Sequence, residues 1–371
     1  MNLLFFRNFS VIVIPSFPFR FQTFQNFYLL HLLQAAREKN KKHKKGERQM
    51  LREIVLALMM YRTFSMSTQT KLCELDKTKV SRGFGKNETL KMFQFDSEYL
   101  CLNHGSCGSV PIPVRDVRQC WSSVVESAPD LWYRFDMFPA LNRVRERLSS
   151  YINSNDPNDV VFVDNASHGI NAVLRSLASN LLQEKKSKIL YLQTAYQMVK
   201  NTLKFLNNVY DDQLLMLNVS FPDEPFTTKD LDDVIVNLVE TALKENEYDI
   251  KLAVISHITS TPAVIYPVKR LTALFHRYGV QVLVDGAHCL GHISIDVQDI
   301  DSDYYVANGH KWLYSPKGSA LLHVRPDRQE YIYPTTISYE GQGSSEFQIG
   351  FSYQGLLFCF ESCASLESRV S

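Results

Sequence analysis

The chain has 371 residues, 45% of them hydrophobic and 21% charged, an ordinary globular composition with room for two or three domains. Forty Lys and Arg stand against 39 Asp and Glu, so the formal charge is +1 and neither a nucleic acid nor another polyanion is expected as a partner. Seven cysteines, at 73, 101, 107, 120, 289, 359 and 363, contain no C-x-x-C pair, and this odd, unpatterned set predicts a reducing, cytoplasmic setting rather than a disulfide scaffold.

Residues 1–90 read as an N-terminal extension. Met1 to Arg37 contains no Asp or Glu; Arg7, Arg20 and Arg37 stand among many Phe and Leu, and the run K-N-K-K-H-K-K-G-E-R follows from Lys39. A mitochondrial-type presequence fits the missing acids and the arginines, although serine is scarce. An upstream extension that does not fold fits equally, with Met66 as an alternative start. A stable membrane span fits badly, because Arg7, Pro15, Pro18 and Arg20 interrupt the apolar run before about 20 residues accumulate.

From Phe93 onward short β-branched runs alternate with longer amphipathic ones. Strands are expected at Val160–Asp164, Lys188–Gln193, Leu214–Val219, Leu252–His257, Val280–Asp285, Tyr304–Ala307 and Ser319–Val324. Helices are expected over Arg143–Asn153, His168–Leu182 and Val268–Tyr278, the last stopped by Gly279. This alternation predicts an α/β protein with a mostly parallel sheet flanked by helices. In such sheets ligands bind at the carboxyl ends of the strands, so the residues that follow each strand become the candidates.

Three strand ends carry unusual chemistry. D-N-A-S-H-G-I-N (164–171) leads from a strand into a helix whose free N–H groups and positive dipole end would suit an anion. Asn165 or Ser167 could equally be a plain N-cap. D-G-A-H-C-L-G-H (285–292) puts Asp285 at the end of a wholly apolar strand, where a carboxylate stays charged only with a cation or several hydrogen bonds. His288 is three residues further on. No third and fourth ligands appear at metal-site spacing, so no metal is expected. The third end is N-G-H-K-W (308–312), in which Lys311 sits between two apolar strands, 26 residues after Asp285 (311 minus 285). A lysine whose pKa is lowered by burial or by its neighbours forms imines with carbonyl compounds. An exposed turn lysine is the plain alternative.

Together the three ends suit a ligand with an aldehyde, a basic ring nitrogen and a phosphate. Pyridoxal phosphate has all three. Asp285 would keep its pyridine nitrogen protonated, Lys311 would hold it as an imine and then serve as the proton-transfer base, and His288 would hydrogen-bond near the ring hydroxyl. Asn165, Ala166, Ser167 and His310 would contact the phosphate.

L-N-H-G-S-C-G-S-V-P (102–111), D-N-A-S-H-G-I-N, V-D-G-A-H-C-L-G-H and N-G-H-K-W, in that order, resemble the class V aminotransferase family of fold-type I pyridoxal-phosphate enzymes, in its isopenicillin N epimerase-like and L-cysteine desulfhydrase-like branch. The resemblance runs from about Phe93 to Gly355. It implies Lys311 as the Schiff-base lysine, Asp285 as the pyridinium partner and His288 as the neighbour of the ring. It also implies Tyr196 as the aromatic stacked on the cofactor, and Asn103, His104 and Gly105 as the loop at the substrate entrance. A small amino acid is the implied substrate. A homodimer is the implied assembly, with Tyr339, Gly341 and Gln342 reaching the neighbouring site. The implied domains are a cofactor-binding large domain over 91–325 and an incomplete C-terminal small domain over 326–371. Residues 356–371 depart from the family pattern. The expected carboxylate-binding arginine is missing there, and Cys359 and Cys363 read as incidental thiols. Two function classes follow. One is an enzyme working at Cα or Cβ of an amino acid, as desulfhydrase or lyase, epimerase or transaminase. The other is a truncated, catalytically weak member that binds cofactor or a full-length partner.

Overall fold

Seven runs of β-branched and other apolar residues pair into one sheet: β1 Val160–Val163, β2 Lys188–Leu192, β3 Leu215–Val219, β4 Ile250–Ser256, β5 Gln281–Asp285, β6 Tyr304–Asn308 and β7 Ala320–Val324. They are seen in a computed structural model that describes residues 85–183, 187–221, 230–246 and 249–337, together with Cys73 and Phe351. All of these belong to the unit Gln69–Ser371. Most of the N-terminal extension expected over 1–90 lies outside the described residues, as do Tyr339, Gly341, Gln342, Cys359 and Cys363.

The strand order is β1-β7-β6-β5-β4-β2-β3. Parallel pairing joins β2 to β3 and to β4, β4 to β5, and β5 to β6, while β7 is antiparallel to both β6 and β1. The mostly parallel sheet expected above is therefore present, with β7 as its reversed strand. The reason is the length of the link. A parallel return needs a crossover of a dozen residues or more, and residues 309–319 are too few and form no helix. They turn back directly, and Lys311 rides on that turn.

Both sheet faces are covered. Val282, Val284, Tyr305 and Ala307 pack on one side, against α1 Ile112–Ser127, α2 Met137–Tyr151, α5 Leu231–Glu245 and α6 Val268–Arg277. Leu283, Tyr304 and Val306 pack on the other, against α3 Ala166–Gln183 and α4 Gln197–Val209. Alternate residues of one strand thus feed two cores, which explains why β5 and β6 are apolar without alternation. Helix ends follow local chemistry. α3 begins two residues earlier than expected because Asn165 caps it, its Oδ1 accepting the His168 N–H at 2.9 Å. α6 stops where Gly279 takes φ +71°. α2 begins at Met137 rather than near Arg143, continuing a π-helical stretch over Trp132–Asp136.

The expectation of unpaired thiols fails at one pair. Cys73 and Cys120, 47 residues apart, form a disulfide with Cα atoms 5.5 Å apart. Cys101, Cys107 and Cys289 are free. The pairing depends on the approach of Cys73 to Cys120 on α1, a distance that cysteine spacing does not encode. Among the described residues no helix is long and apolar enough to cross a membrane.

Candidate active site

The carboxyl ends of β1, β5 and β6 fall on one edge of the sheet. Val163 and Asn308 both pair with Ala320, and Asp285 pairs with Val306 two residues back along β6. This edge gathers Asp285, Lys311 and the start of α3 although 147 residues separate Asp164 from Lys311 (311 minus 164).

Asp285 is 6% exposed. Its Oδ1 accepts the Ala287 N–H at 3.1 Å, and its backbone carbonyl accepts the His257 N–H at 2.9 Å. Burial pushes its carboxyl pKa up, while the Ala287 hydrogen bond and the Lys311 charge pull it back. Such a group lacks a full counter-charge. Lys311 is half-buried, and burial lowers its ammonium pKa, with the Asp285 charge opposing. Its Nζ lies 3.0 Å from His288 Nε2. Burial first, then the Lys311 and His292 charges, push the His288 ring down to about 4. The Trp312 Nε1–H donates to His288 Nδ1 at 3.4 Å.

The helix start forms the second half of the site. Asn308, 4% exposed at the end of β6, accepts the Ala166 N–H on its Oδ1 at 2.8 Å and so pins α3 to the strand. The His168 N–H goes to Asn165 Oδ1 and the Gly169 N–H to the Asn165 carbonyl. The Gly169 bond is the first turn of the helix ladder; of the amides that the helix start leaves over, Ala166 and His168 are thus taken, and Ser167 carries the one between them. The expectation that Ala166 is open to a phosphate therefore meets a competitor, Asn308. His310 meets another, because its Nδ1–H donates to the Ser319 carbonyl at 2.9 Å. Burial lowers the His310 pKa, and the neutral ring then presents a lone pair on Nε2 rather than a proton.

The 103–109 loop closes over the lysine turn. His104 Nε2 accepts the Ser109 N–H at 3.3 Å, and the ring also bonds the Lys311 backbone. His104 therefore braces two loops, beyond its expected place at an entrance. Gly108, at φ +62°, lies so close to the lysine turn that a Cβ there would stand 2.1 Å from the His310 carbonyl oxygen. Lys317 Nζ donates to the Gly108 carbonyl at 3.0 Å. Gly105 is buried and Asn103 is exposed. Tyr196 follows β2, where the sheet order switches between β2 and β4, and is 53% exposed.

Asn308, Gly108 and the layer beneath Asp285 were not selected as site residues from sequence. In that layer His257 Nδ1 lies 2.8 Å from the Tyr305 hydroxyl, which also bonds the Cys289 thiol. An Asn ending an apolar strand was the available signal for Asn308. Nothing in the sequence signals the approach of Gly108 to His310. As a donor set, a buried carboxylate short of a cation, an amine with a lowered pKa and a helix start with Ser167 fit a ligand carrying a cationic ring nitrogen, a carbonyl carbon and an anion.

The chain matches the family model for class-V aminotransferases over residues 133–348. It is 29% identical over 247 residues to the L-cysteine desulfhydrase of Arabidopsis thaliana, covering 64% of this chain and 53% of that one. It is 28% identical over 238 residues to the isopenicillin N epimerase of Amycolatopsis lactamdurans, covering 64% and 57%. Among solved structures it is similar to the apo cysteine desulfurase from Thermococcus onnurineus NA1, with a TM-score of 0.61 at 17% identity, covering 78% and 72%. The chain spans about half the length of the curated relatives it matches.

Proposed function

Because the chain belongs to the class-V aminotransferase family, whose fold-type I members use pyridoxal phosphate, we propose that it acts on a sulfur-containing amino acid as an L-cysteine desulfhydrase-like lyase. The observation that carries this reading is the pairing, on one sheet edge, of a lysine with a lowered pKa and a buried carboxylate that lacks a full counter-charge. When bound, pyridoxal phosphate supplies a carbonyl carbon and an electron-accepting ring. Lys311 is the amine that would hold the carbonyl carbon, and Asp285 the carboxylate that would face the ring nitrogen. Ser167, in the first turn of α3, is the phosphate donor left open by Asn308 and Asn165. Tyr196 and the 103–105 loop stand at the mouth of the site, Tyr196 as the expected stacking ring and the loop as the substrate entrance.

In this reading the Lys311 amine takes the Cα proton of a bound amino acid. With that proton removed, a thiol at Cβ can depart as sulfide, and with water cysteine then yields pyruvate, ammonia and hydrogen sulfide. The likeness to an L-cysteine desulfhydrase supports this outcome, and the likeness to isopenicillin N epimerase supports the second reading, return of the proton to the opposite face of Cα. We propose that the enzyme works as a homodimer; with Cys73 bonded to Cys120, the cysteines no longer argue for a reducing setting. The exposed Tyr99, Leu100 and Leu102 beside the 103–109 loop suit an apolar contact between subunits.

Purified protein given pyridoxal phosphate should absorb in the visible, and borohydride should fix the cofactor to the peptide holding Lys311. Incubation with cysteine should release sulfide and pyruvate in equal amounts. Cofactor fixed to another lysine overturns the site assignment. Racemised amino acid without sulfide selects the epimerase reading.

A further inference from the structure

The roles given to Lys311, Asp285 and His288 leave Trp312 unassigned. An indole Nε1–H can donate a hydrogen bond but cannot accept one. It lies 3.4 Å from His288 Nδ1, so that nitrogen carries the lone pair and the proton of the neutral ring sits on Nε2. Nε2 in turn is 3.0 Å from Lys311 Nζ. A protonated Nε2 can only donate there, and only an uncharged amine can accept from it. In the opposite tautomer Nε2 would accept from an ammonium and favour the charged lysine. The tautomer of His288 therefore selects the protonation state of Lys311 that the pair supports.

We propose that Trp312 is a positioning residue that sets the tautomer of His288 and, through it, holds the Lys311 amine uncharged and nucleophilic. The inference rests on the reading of Lys311 as the reactive amine. The surroundings fix the indole where this requires it. Its ring stacks on His292 at 4.5 Å and 26°, with His104 on another side at 5.9 Å. Gly105 leaves room for the contact, because a Cβ there would stand 2.8 Å from Trp312 Cζ2 and 3.1 Å from His288 Nδ1. The charged and titratable groups facing the pair act in known directions. Asp285 favours a charged lysine, whereas burial opposes it; Cys289, its thiol pushed up to about 12 by burial, adds no charge at neutral pH, and burial is the main cause that keeps His288 neutral. The histidine bond thus works with burial against the Asp285 carboxylate, which would recharge the amine.

The test uses the full chain without cofactor, with its histidines labelled with nitrogen-15. Two-bond proton–nitrogen spectra at neutral pH should show His288, assigned by loss of its signals in His288→Gln, protonated on Nε2. Trp312→Phe keeps a stacking ring and removes the N–H donor. In it the His288 signals should move toward the Nδ1–H form. Reductive methylation of Lys311 at neutral pH should slow, by about tenfold for each pKa unit that the amine regains. A wild-type His288 protonated on Nδ1, or on both nitrogens, overturns the proposal, and this measurement stands even where the Phe variant does not fold. An unchanged tautomer with unchanged labelling in Trp312→Phe overturns it as well. Failure of borohydride to fix pyridoxal phosphate on Lys311 would instead sink the proposed function while leaving the tautomer result intact.

Discussion

Asp285 ends a strand whose residues are all apolar except at its margins, and it comes to rest 6% exposed with one backbone N–H on its carboxylate. A carboxylate kept in that state without a full counter-charge is costly unless a cation arrives with the ligand. Asp285→Asn keeps the shape and removes the charge. We expect turnover of cysteine to fall roughly a hundredfold, about 3 kcal/mol of transition-state stabilisation, with the circular dichroism spectrum unchanged. Equal turnover in the two proteins would remove Asp285 from the reaction. At this scale residue type and position were legible: Asp285, His288 and Lys311 all reach one edge. What each ring nitrogen or amide is bonded to was not. His104 is spent on the Ser109 and Lys311 backbone, His310 on Ser319, and Ala166 on Asn308.

Elements meet through polar anchors as well as through apolar faces. At the end of the sheet opposite the site, Asp303, just before β6, is 1% exposed. It accepts the Val282 N–H of β5 at 2.8 Å and the Arg328 Nε–H at 2.9 Å, and it lies 3.0 Å from His276 Nε2 on α6. Burial works to raise its pKa, but the bonds from His276, Val282 and Arg328 outweigh it and hold the carboxyl below its ordinary value. A depressed folded pKa contributes stability that is fully present above the unfolded value near 4 and is lost as pH falls through the folded one. Asp303→Asn should lower stability at pH 7 by about 3 kcal/mol, because Arg328 and His276 lose their shared anion. The gap between the two proteins should close below about pH 4. Urea melts at pH 7 and pH 3 check this; a gap that is absent at pH 7, or that persists unchanged at pH 3, contradicts it. The strand–turn–strand unit β6–β7 shows what a linear reading achieves at this scale. Both strands were legible as apolar runs, and their antiparallel pairing followed only once the short link between them was seen to lack a helix.

Across the described residues, one sheet divides two apolar cores, and two imidazoles, His257 and His323, are shut into the side that holds Tyr305. His257 bonds the Tyr305 hydroxyl, and His323 pairs with Tyr305 across β6 and β7. Burial pushes each down to about 4. A histidine with a depressed folded pKa costs nothing above its unfolded value near 6.5. Below that value the unfolded chain binds a proton that the folded chain refuses, so stability falls with pH until the folded pKa is reached. Each ring should contribute a loss of roughly 3 kcal/mol between pH 6.5 and pH 4. Urea midpoints across that window should fall, and they should fall less in a His257→Gln, His323→Gln double variant. A midpoint flat from pH 7 to pH 4.5 would show that neither ring is held neutral.

Strand positions were decided locally. The seven strands lie within two residues of where apolar runs and their bounding Gly, Asp and Asn place them, because backbone preference and burial act along the chain. The chemistry of the candidate site was local in the same sense, since Asp285 and His288 share one turn and His310, Lys311 and Trp312 another. Sheet order, the reversal of β7, the Cys73–Cys120 disulfide, the lock of Asn308 on Ala166 and the contact of Trp312 with His288 were decided by tertiary structure. Each joins groups from separate turns or strands, and a contact of that kind depends on register and on closing the chain between its partners, which no short stretch of sequence specifies.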